Sequence, residues 1–564
     1  MTADSRTRAA PASAPVSAPV SILARIETAA LHRPYPALLL LCLLLWLPGF
    51  FTLPPSDRDE SRFAQATKQM LQTGDFVRIM NGTVPRNLKP IGIYWLQAPF
   101  AAAARATGIA RKNPIWPYRI PSVLGGLVAV LSTFGLGRRL VGRRAALLAA
   151  GMLAASVVLT VEVHIAKTDA ALLGATTVAM GLLARAYLEP EAMAPAAAYG
   201  FWLAMAAGVL LKGPITPMAA GLAVLVLLAW ERRAAWLRSL RPGLGFLLFL
   251  AVVLPWFVAI GIATGGGFFT QSLGGDLAGK LAGGSDAHGA PPGLHLLLLP
   301  LLAFPSTLFV IRALPAAWRG RARAPTRFLI AWLVPSWLVF EAVHTKLPHY
   351  TLPLYPALFL LAGLWLADPA RRRPPRWLAA LAVGGFVLAG ALLGLASAVL
   401  PPAVGAAWWI GVPGLLAAAA ITALVLRSRD VRAAVCAAPL LYWSVFGLTL
   451  PAARPLWIAP RVAAALAAHW PGGQPADARF GALGFDEPSL MFLAGTSTAW
   501  FAQPAAAADF LAAGPDRVVL MDSRDQPAFA AAATTRGVRP RRFATVRGFD
   551  YSNGHFVTLF LEAD

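Results

Sequence analysis

Residues 37–54 read ALLLLCLLLWLPGFFTLP and are followed at residues 56–62 by SDRDESR. The first stretch is long and apolar enough to cross a hydrocarbon layer of roughly 30 Å. The second places three carboxylates and two guanidinium groups where such a segment would meet water. An apolar run that ends in charges of both signs predicts a membrane protein with chemistry at the bilayer surface.

The rest of the chain repeats the apolar pattern. It has 564 residues, of which 57% are hydrophobic and 13% are charged, and its mean hydropathy of +0.62 is too high for an ordinary soluble fold. The sequence therefore predicts a mainly α, polytopic membrane protein with about thirteen transmembrane helices. After residues 37–54, the predicted spans are 119–137, 145–166, 170–187, 198–211, 215–230, 244–263, 294–311, 327–343, 349–367, 377–399, 407–426 and 433–450.

Arginine-rich loops predict the orientation, because basic loops are retained in the cytoplasm. Each follows an even-numbered span, so the N-terminus is expected inside. The Ala-, Arg- and Pro-rich composition is typical of a high-GC bacterium, so the expected location is a bacterial inner membrane with the outer face in the periplasm. The same loops account for much of the net charge of +23, so membrane lipids are the expected partners and nucleic acid is not. The arginine-rich loops are 138–144, 232–241, 312–327, 371–376 and 427–432.

Three regions follow from this topology. Residues 1–36 are predicted as a disordered cytoplasmic leader, and residues 37–450 as the transmembrane catalytic domain. Residues 451–564 are predicted as a small soluble α/β domain on the periplasmic side. Its predicted strands are 478–485, 517–521, 543–546 and 556–561, with helices at 488–493 and 526–536.

The long first outer loop, 55–118, is expected to carry function. In it Phe63, Ala66 and Met70 recur at helical spacing and predict an amphipathic helix at the membrane interface. A second interfacial helix is predicted from Pro90 onward.

Carboxylates from two distant parts of the chain are expected on the same outer face. Asp59 and Glu60 follow the first span, where a solvated helix end is the plain alternative. Asp169 begins an apolar stretch, where an unpaired carboxylate would be costly. Their common side favours one site.

Three lysines, Lys89, Lys212 and Lys346, are also predicted at the outer interface, each followed closely by proline. Snorkelling to lipid headgroups is one interpretation, and an anionic, phosphate-bearing ligand is the other. His288 lies in the outer loop before the eighth span. It is either an ordinary loop residue or, with nearby carboxylates, a ligand for a divalent metal ion.

Several segments together resemble the lipid-to-lipid glycosyltransferases related to the aminoarabinose transferase of lipid A modification. More broadly, they resemble the protein mannosyltransferases of the GT-C class. The resemblance covers most of the membrane region in order and is weak after residue 451. The matching segments are 59–64 (DESRFA), 70–77 (MLQTGDFV), 89–95 (KPIGIYW), 168–169 (TD), 211–214 (LKGP), 254–256 (LPW) and 346–350 (KLPHY).

The resemblance implies a polyprenyl-phosphate sugar donor and transfer with inversion on the periplasmic face. It implies a catalytic carboxylate at Asp59, with Asp169 as a second acidic residue in the cavity, and Glu60, beside Asp59, is predicted as a further catalytic residue. Before the Lys-Pro pair the aminoarabinose transferases typically carry a glutamate implicated in metal binding, whereas this chain has Leu88. The residues expected to hold the donor phosphate are Arg62, Lys89, Lys212, Lys346 and Tyr350.

The leading hypothesis is an inverting glycosyltransferase, expected to be monomeric, that modifies lipid A, lipopolysaccharide core or another envelope glycan. One alternative is a protein O-glycosyltransferase of the mannosyltransferase type, which acceptor analysis would distinguish. The other is a transporter or flippase of lipid-linked sugars. Transporters often show internal repeats and midplane charges, whereas the charges here are predicted at one interface.

Overall fold

The computed structural model describes residues 21–108, 113–277, 289–369, 412–470 and 479–564. Helices dominate it, as the composition predicts. The principal α-helices are Ile22–His32, Pro34–Trp46, Asp59–Thr73, Gly92–Ala106, Trp116–Gly135, Arg143–Ala154, Val157–Val163, Asp169–Leu188, Pro195–Lys212, Ile215–Glu231, Pro242–Ala263, Leu294–Leu302, Thr307–Arg319, Ala324–Ala342, Tyr355–Ala367, Val412–Ser428, Val431–Tyr442, Ile458–His469, Pro488–Ala494, Pro504–Ala512 and Gln526–Thr535.

Six helices in the described part of the chain are long and apolar enough to cross a membrane, or up to eight if each of two bent pairs is one span. Two predictions near the N-terminus need correction. Residues 22–32, assigned by composition to a disordered leader, form a helix that Ser21 caps. In the region of the predicted first span, 37–54, the helix ends at Trp46. This helix, Pro34–Trp46, is bent by 119° relative to Ile22–His32.

Another predicted span, 294–311, is broken into Leu294–Leu302 and Thr307–Arg319. Pro305 lies in the break, and proline has no N–H with which to continue the helical hydrogen-bond ladder. The predicted span 377–399 and the basic loop 371–376 lie outside the described residues.

The helix Asp169–Leu188 connects two charged layers. Asp169 at its start pairs with Lys212 at 2.5 Å, whereas Glu189, just past its end, pairs with Arg139 at 2.8 Å. Its 20 residues span about 30 Å, which is the thickness of a bilayer core. The charges therefore lie where both ends of a membrane-spanning helix would meet water.

Glycine brings this helix very close to the helix Trp116–Gly135. A Cβ on Gly125 would lie 2.4 Å from the Cα of Ala171, and a Cβ on Gly174 would lie 2.7 Å from the carbonyl oxygen of Gly125. Only residues without a side chain permit this crossing. The close contact between the two helices fixes the position of Asp169 along the axis of the helix bundle.

Both helices predicted in the first outer loop are present. We call Asp59–Thr73 the first loop helix and Gly92–Ala106 the second loop helix. Asp59 and Glu60 lie in the first turn of the first loop helix, where acidic side chains interact favourably with the helix dipole. Gly74 ends this helix in a left-handed conformation. A short hairpin, β1 (Met80–Asn81) and β2 (Val84–Pro85), lies between the two helices.

The C-terminal residues form a five-stranded mixed sheet. Its strand order is β4-β3-β5-β7-β6. Strand β3 is parallel to both of its neighbours, β4 and β5. Strand β7 is antiparallel to both of its neighbours, β5 and β6. Buried apolar side chains form a separate cluster on each face of the sheet. The strands are β3 (Arg479–Leu483), β4 (Ala499–Phe501), β5 (Arg517–Asp522), β6 (Arg541–Asp550) and β7 (His555–Ala563).

Candidate active site

Four charged side chains and a histidine, here called the boundary cluster, meet at one end of the helix bundle. Asp169 Oδ1 lies 2.5 Å from Lys212 Nζ, and Asp169 Oδ2 lies 3.7 Å from Lys167 Nζ. Lys167 Nζ is 3.0 Å from Glu162 Oε1, and His349 Nε2 is 3.7 Å from Asp169 Oδ1. None of the five side chains is more than 15% exposed, so the cluster is a buried electrostatic network.

The charges within the boundary cluster balance. Two carboxylates face two ammonium groups, and pairing is what makes buried charge tolerable. Burial opposes the charge on Lys167, but Glu162 and Asp169 outweigh it and raise the pKa of Lys167. His349 Nδ1 lies 3.3 Å from Lys167 Nζ. Because an ammonium group can only donate, His349 Nδ1 accepts and Nε2 carries the ring proton, facing Asp169.

Asp59 lies beside this cluster, at the start of the first loop helix. Its side chain is 51% exposed, and Arg86 Nη2 lies 3.5 Å from its Oδ1. The Arg86 guanidinium is buried and stacks 4.8 Å from the centre of the Phe63 ring. Desolvation would raise the pKa of Asp59, but Arg86 and Lys167 lower it below its usual value. Asp59 is therefore an accessible, ionised carboxylate.

Two predicted phosphate ligands lie on the same loop. Arg62 is half-buried one helical turn after Asp59, where burial and the neighbouring Arg86 lower its pKa. Lys89 is half-buried just before the second loop helix. That helix touches the helix carrying Lys212, since a Cβ on Gly92 would lie 2.7 Å from the carbonyl oxygen of Leu210.

Lys346 and Tyr350 follow the helix Ala324–Ala342. The centre of the Tyr350 ring lies 5.1 Å from Lys212 Nζ, which places this tyrosine against the boundary cluster. Lys346 Nζ donates to the carbonyl oxygens of Ala290, at 2.8 Å, and Val343, at 2.6 Å. Lys346 also lines a cavity of about 320 Å³. Two of its three N–H groups are thus engaged by backbone.

Glu60 is fully buried, unlike its neighbour Asp59. Its carboxylate forms a bidentate ion pair with Arg119, with contacts of 2.8 and 3.0 Å, and accepts from the Ala166 N–H at 2.9 Å. Ser56 donates both its backbone N–H and its hydroxyl to the same carboxylate. Glu60 therefore joins the loop 55–118 to the segment that carries Lys167 and Asp169.

No group of three His, Cys, Asp or Glu side chains in the described ranges is arranged to hold a metal ion. Glu162, Asp169 and His349 do converge. However, the Lys167 ammonium pairs with Glu162 and the Lys212 ammonium pairs with Asp169, so cationic side chains already neutralise both carboxylates. His288 lies outside the described residues.

Sequence reasoning missed Glu162 and Arg86 and gave Lys167 and His349 no role. Glu162 had a signal, since a glutamate inside an apolar run is costly unless it is paired. Arg86 carries no such signal, because no pattern in the neighbouring sequence indicates that the loop folds back to bring Arg86 to Asp59.

The same architecture occurs in known proteins. The structure superposes on ArnT from Cupriavidus metallidurans bound to undecaprenyl phosphate with a TM-score of 0.71, covering 93% of this chain and 97% of that one at 18% identity. It superposes on an oligosaccharyltransferase from Archaeoglobus fulgidus with a TM-score of 0.50 at 10% identity, covering 94% and 74%. The chain thus has the fold of the GT-C glycosyltransferases, and the predicted resemblance is confirmed.

Sequence comparison identifies particular relatives within that class. Residues 89–259 match the family model for dolichyl-phosphate-mannose-protein mannosyltransferase. The chain is 30% identical over 340 residues to the undecaprenyl phosphate-alpha-4-amino-4-deoxy-L-arabinose arabinosyl transferase of Pseudomonas aeruginosa, covering 58% of this chain and 60% of that protein. The protein of the same name from Pseudomonas paraeruginosa is 29% identical over 341 residues, with the same coverage. The chain thus spans about 60% of the length of these curated relatives.

Proposed function

We propose that this protein is an inverting membrane glycosyltransferase. It transfers a sugar from an undecaprenyl-phosphate donor to lipid A, lipopolysaccharide core or another envelope glycan. The observation that carries this proposal is the position of Asp59, which is ionised, 51% exposed and beside a buried array of paired cations. The names of the relatives supply the donor, and the resemblance to the aminoarabinose transferase of lipid A modification supplies the acceptor class.

The donor phosphate would bind among the cations beside Asp59. We assign Arg62, Lys89, Lys212 and Tyr350 to it, and Lys346 through its remaining N–H. Arg86 joins this set, because its buried Nε has no hydrogen-bond partner among the described residues and a phosphate oxygen would supply one.

The reaction follows from the charges. The acceptor oxygen forms a bond to the anomeric carbon on the face opposite the phosphate, which inverts that carbon. The bond from the anomeric carbon to the phosphate oxygen breaks, and its electron pair leaves with the phosphate. Preorganised cations stabilise the negative charge that develops there. If the acceptor is a hydroxyl group, Asp59 takes its proton as general base. If it is an ionised phosphate, Asp59 positions the acceptor or stabilises the positive charge that develops on the sugar ring.

The other predicted carboxylates have supporting roles in this scheme. Asp169 holds Lys212 and Lys167 in place for the donor phosphate. Glu60 was predicted as catalytic, but its pairing with Arg119 supports a positioning role. The described residues offer no fitting ligand set for a divalent metal ion, so no step is derived through one.

We propose an inner-membrane location with the site and the C-terminal domain, residues 451–564, in the periplasm. The orientation rests on the arginine-rich loops, of which 138–144, 232–241, 312–327 and 427–432 lie in the described residues. We retain about thirteen crossings as part of the proposal. In the described residues the shorter apolar helices Ile215–Glu231 and Val412–Ser428 would raise the candidate spans from up to eight to up to ten, and the predicted span 377–399 lies outside those residues.

Transfer of label from a radiolabelled undecaprenyl-phosphate sugar pool to extracted envelope lipids tests the proposal. Wild type is compared in detergent with Asp59→Asn and with Glu191→Gln, which removes an exposed carboxylate at the far end of the bundle. We expect transfer by wild type and Glu191→Gln, and a loss of roughly 10²–10⁴-fold in a folded Asp59→Asn protein if the acceptor is a hydroxyl. No transfer by wild type with every donor supplied would favour a flippase.

A protein O-glycosyltransferase is the second candidate, and the family-model match over residues 89–259 favours it. Adding periplasmic protein to the same assay distinguishes the two. Label in protein rather than in lipid would select the second candidate.

A further inference from the structure

The C-terminal domain packs against the first loop helix, which begins at the proposed catalytic carboxylate. Lys68 Nζ donates to the carbonyl oxygen of Phe492 at 2.8 Å, and the Phe492 ring meets Tyr118 edge-on at 5.5 Å. Nearer the start of the helix, Gln65 Nε2 donates to Thr496 Oγ1 at 2.9 Å. These contacts dock the domain onto the helix but do not touch its start.

A second set of contacts holds the two residues that precede Asp59. The Asp57 N–H donates to Tyr551 Oη at 2.6 Å, and the Asp57 carboxylate accepts from the Ser489 hydroxyl. The Arg58 guanidinium donates to Asn553 Oδ1 at 2.8 Å, and it lies 3.4 Å from Glu487 Oε1. Side chains more than 400 positions away in sequence therefore fix this turn.

The turn itself is strained. Arg58 has φ 63° and ψ −114°, near the first central position of a type II′ turn, which favours glycine. For a residue with a side chain such a conformation is unfavourable and persists only where the surroundings hold it. Asp59 follows directly as the first residue of the helix, so the turn sets where its carboxylate lies.

We propose that the C-terminal domain positions Asp59 for transfer, through the Tyr551 hydroxyl and the Asn553 amide that hold Asp57 and Arg58. The inference rests on the proposed function, in which Asp59 is the reacting carboxylate. Tyr551 is then a positioning residue: it touches neither substrate nor the reacting atoms, and it acts through the turn.

Tyr551→Phe tests the proposal, because it removes the acceptor for the Asp57 N–H and keeps the ring. Thr496→Val is the matched control, since it removes hydrogen bonds of the same interface at Gln65 and Gln72. We measure kcat and KM for the undecaprenyl-phosphate sugar pool with the full chain in detergent. Amide hydrogen exchange of residues 57–60 is measured in the same samples.

In Tyr551→Phe we expect kcat to fall about ten-fold or more with KM within two-fold, because misplacing a reacting group costs rate rather than binding. Amide exchange at 57–60 should become faster. Thr496→Val should leave both near the wild-type values.

Equal effects of the two substitutions on kcat and exchange would overturn the proposal and leave a general docking role. Unchanged exchange in Tyr551→Phe would also overturn it, whatever the activity. Absence of transfer by the wild type would reject the proposed function instead, and the exchange result would still report whether Tyr551 holds the turn.

Discussion

Lys212 Nζ lies 2.5 Å from Asp169 Oδ1, and the two residues come from the end of one apolar helix and the start of another. Asp169 is 6% exposed and Lys212 is 15% exposed, so each depends on the other for a counter-charge. This pair connects the two helices at the level of the site.

A double-mutant cycle should expose that dependence. Asp169→Asn alone leaves a buried ammonium unpaired and should cost about 3–5 kcal/mol of unfolding free energy. Asp169→Asn combined with Lys212→Gln should cost less than the sum of the single changes, because the Glu162–Lys167 pair remains intact. Denaturant unfolding in detergent measures all three variants. Additive losses would show that the two side chains are not coupled.

Arg86 should tune the protonation of Asp59. Because Arg86 lowers the pKa of Asp59, Arg86→Gln should raise that pKa and shift the acidic limb of the pH–rate profile to higher pH. The profile of kcat/KM measures the shift. Arg78→Gln is the matched control, since Arg78 is an exposed arginine of the same loop paired with Asp75. A limb that moved equally in both variants would count against a specific role.

The interface of the C-terminal domain should strengthen as the pH falls toward 5. Desolvation and the neighbouring Asp57 raise the pKa of Glu487 to about 7, and desolvation and Asp550 raise that of Asp57 to about 6. Between the ordinary carboxyl pKa and these values the folded state binds more protons than the unfolded state. The stability contributed by these groups is therefore present at low pH and is lost as pH rises through about 6 to 7.

Glu487→Gln removes one titrating group and should flatten this dependence. Hydrogen exchange of the first loop helix, measured from pH 5 to pH 8 in wild type and variant with correction for intrinsic rates, reports it. A pH dependence that is the same in both proteins would contradict the assignment.

Gly125 should tolerate no side chain. Gly125→Ala places a Cβ 2.4 Å from the backbone of Ala171 and forces apart the two helices that set the height of Asp169. We expect a marked loss of thermal stability and of transfer. Gly221→Ala, in an apolar helix with no atom within 4 Å of the new Cβ, is the matched control and should be neutral or slightly stabilising. Equal stability of both variants would show that the crossing can open.

Part of the candidate site could be predicted from the sequence, because charge in an apolar chain is conspicuous. This is why Asp59, Asp169 and Lys212 stand out. In the structure Asp169 and Lys212 contact each other, and Asp59 lies close to that pair. Lys346 shows the limit of such reasoning. It carries the same signal as Lys212, yet its ammonium is held by backbone carbonyls.

The sequence by itself determined the class of protein, since only a membrane accommodates so many apolar segments, and it determined the charged residues that had to find partners. Only the tertiary structure decided which partner each one has. Glu60 pairs with Arg119, 59 positions away, and the Asp57 carboxylate accepts a hydrogen bond from Ser489, 432 positions away. Burial makes pairing obligatory, but the crossing of helices and the docking of the C-terminal domain select the pairs, and no local pattern encodes either.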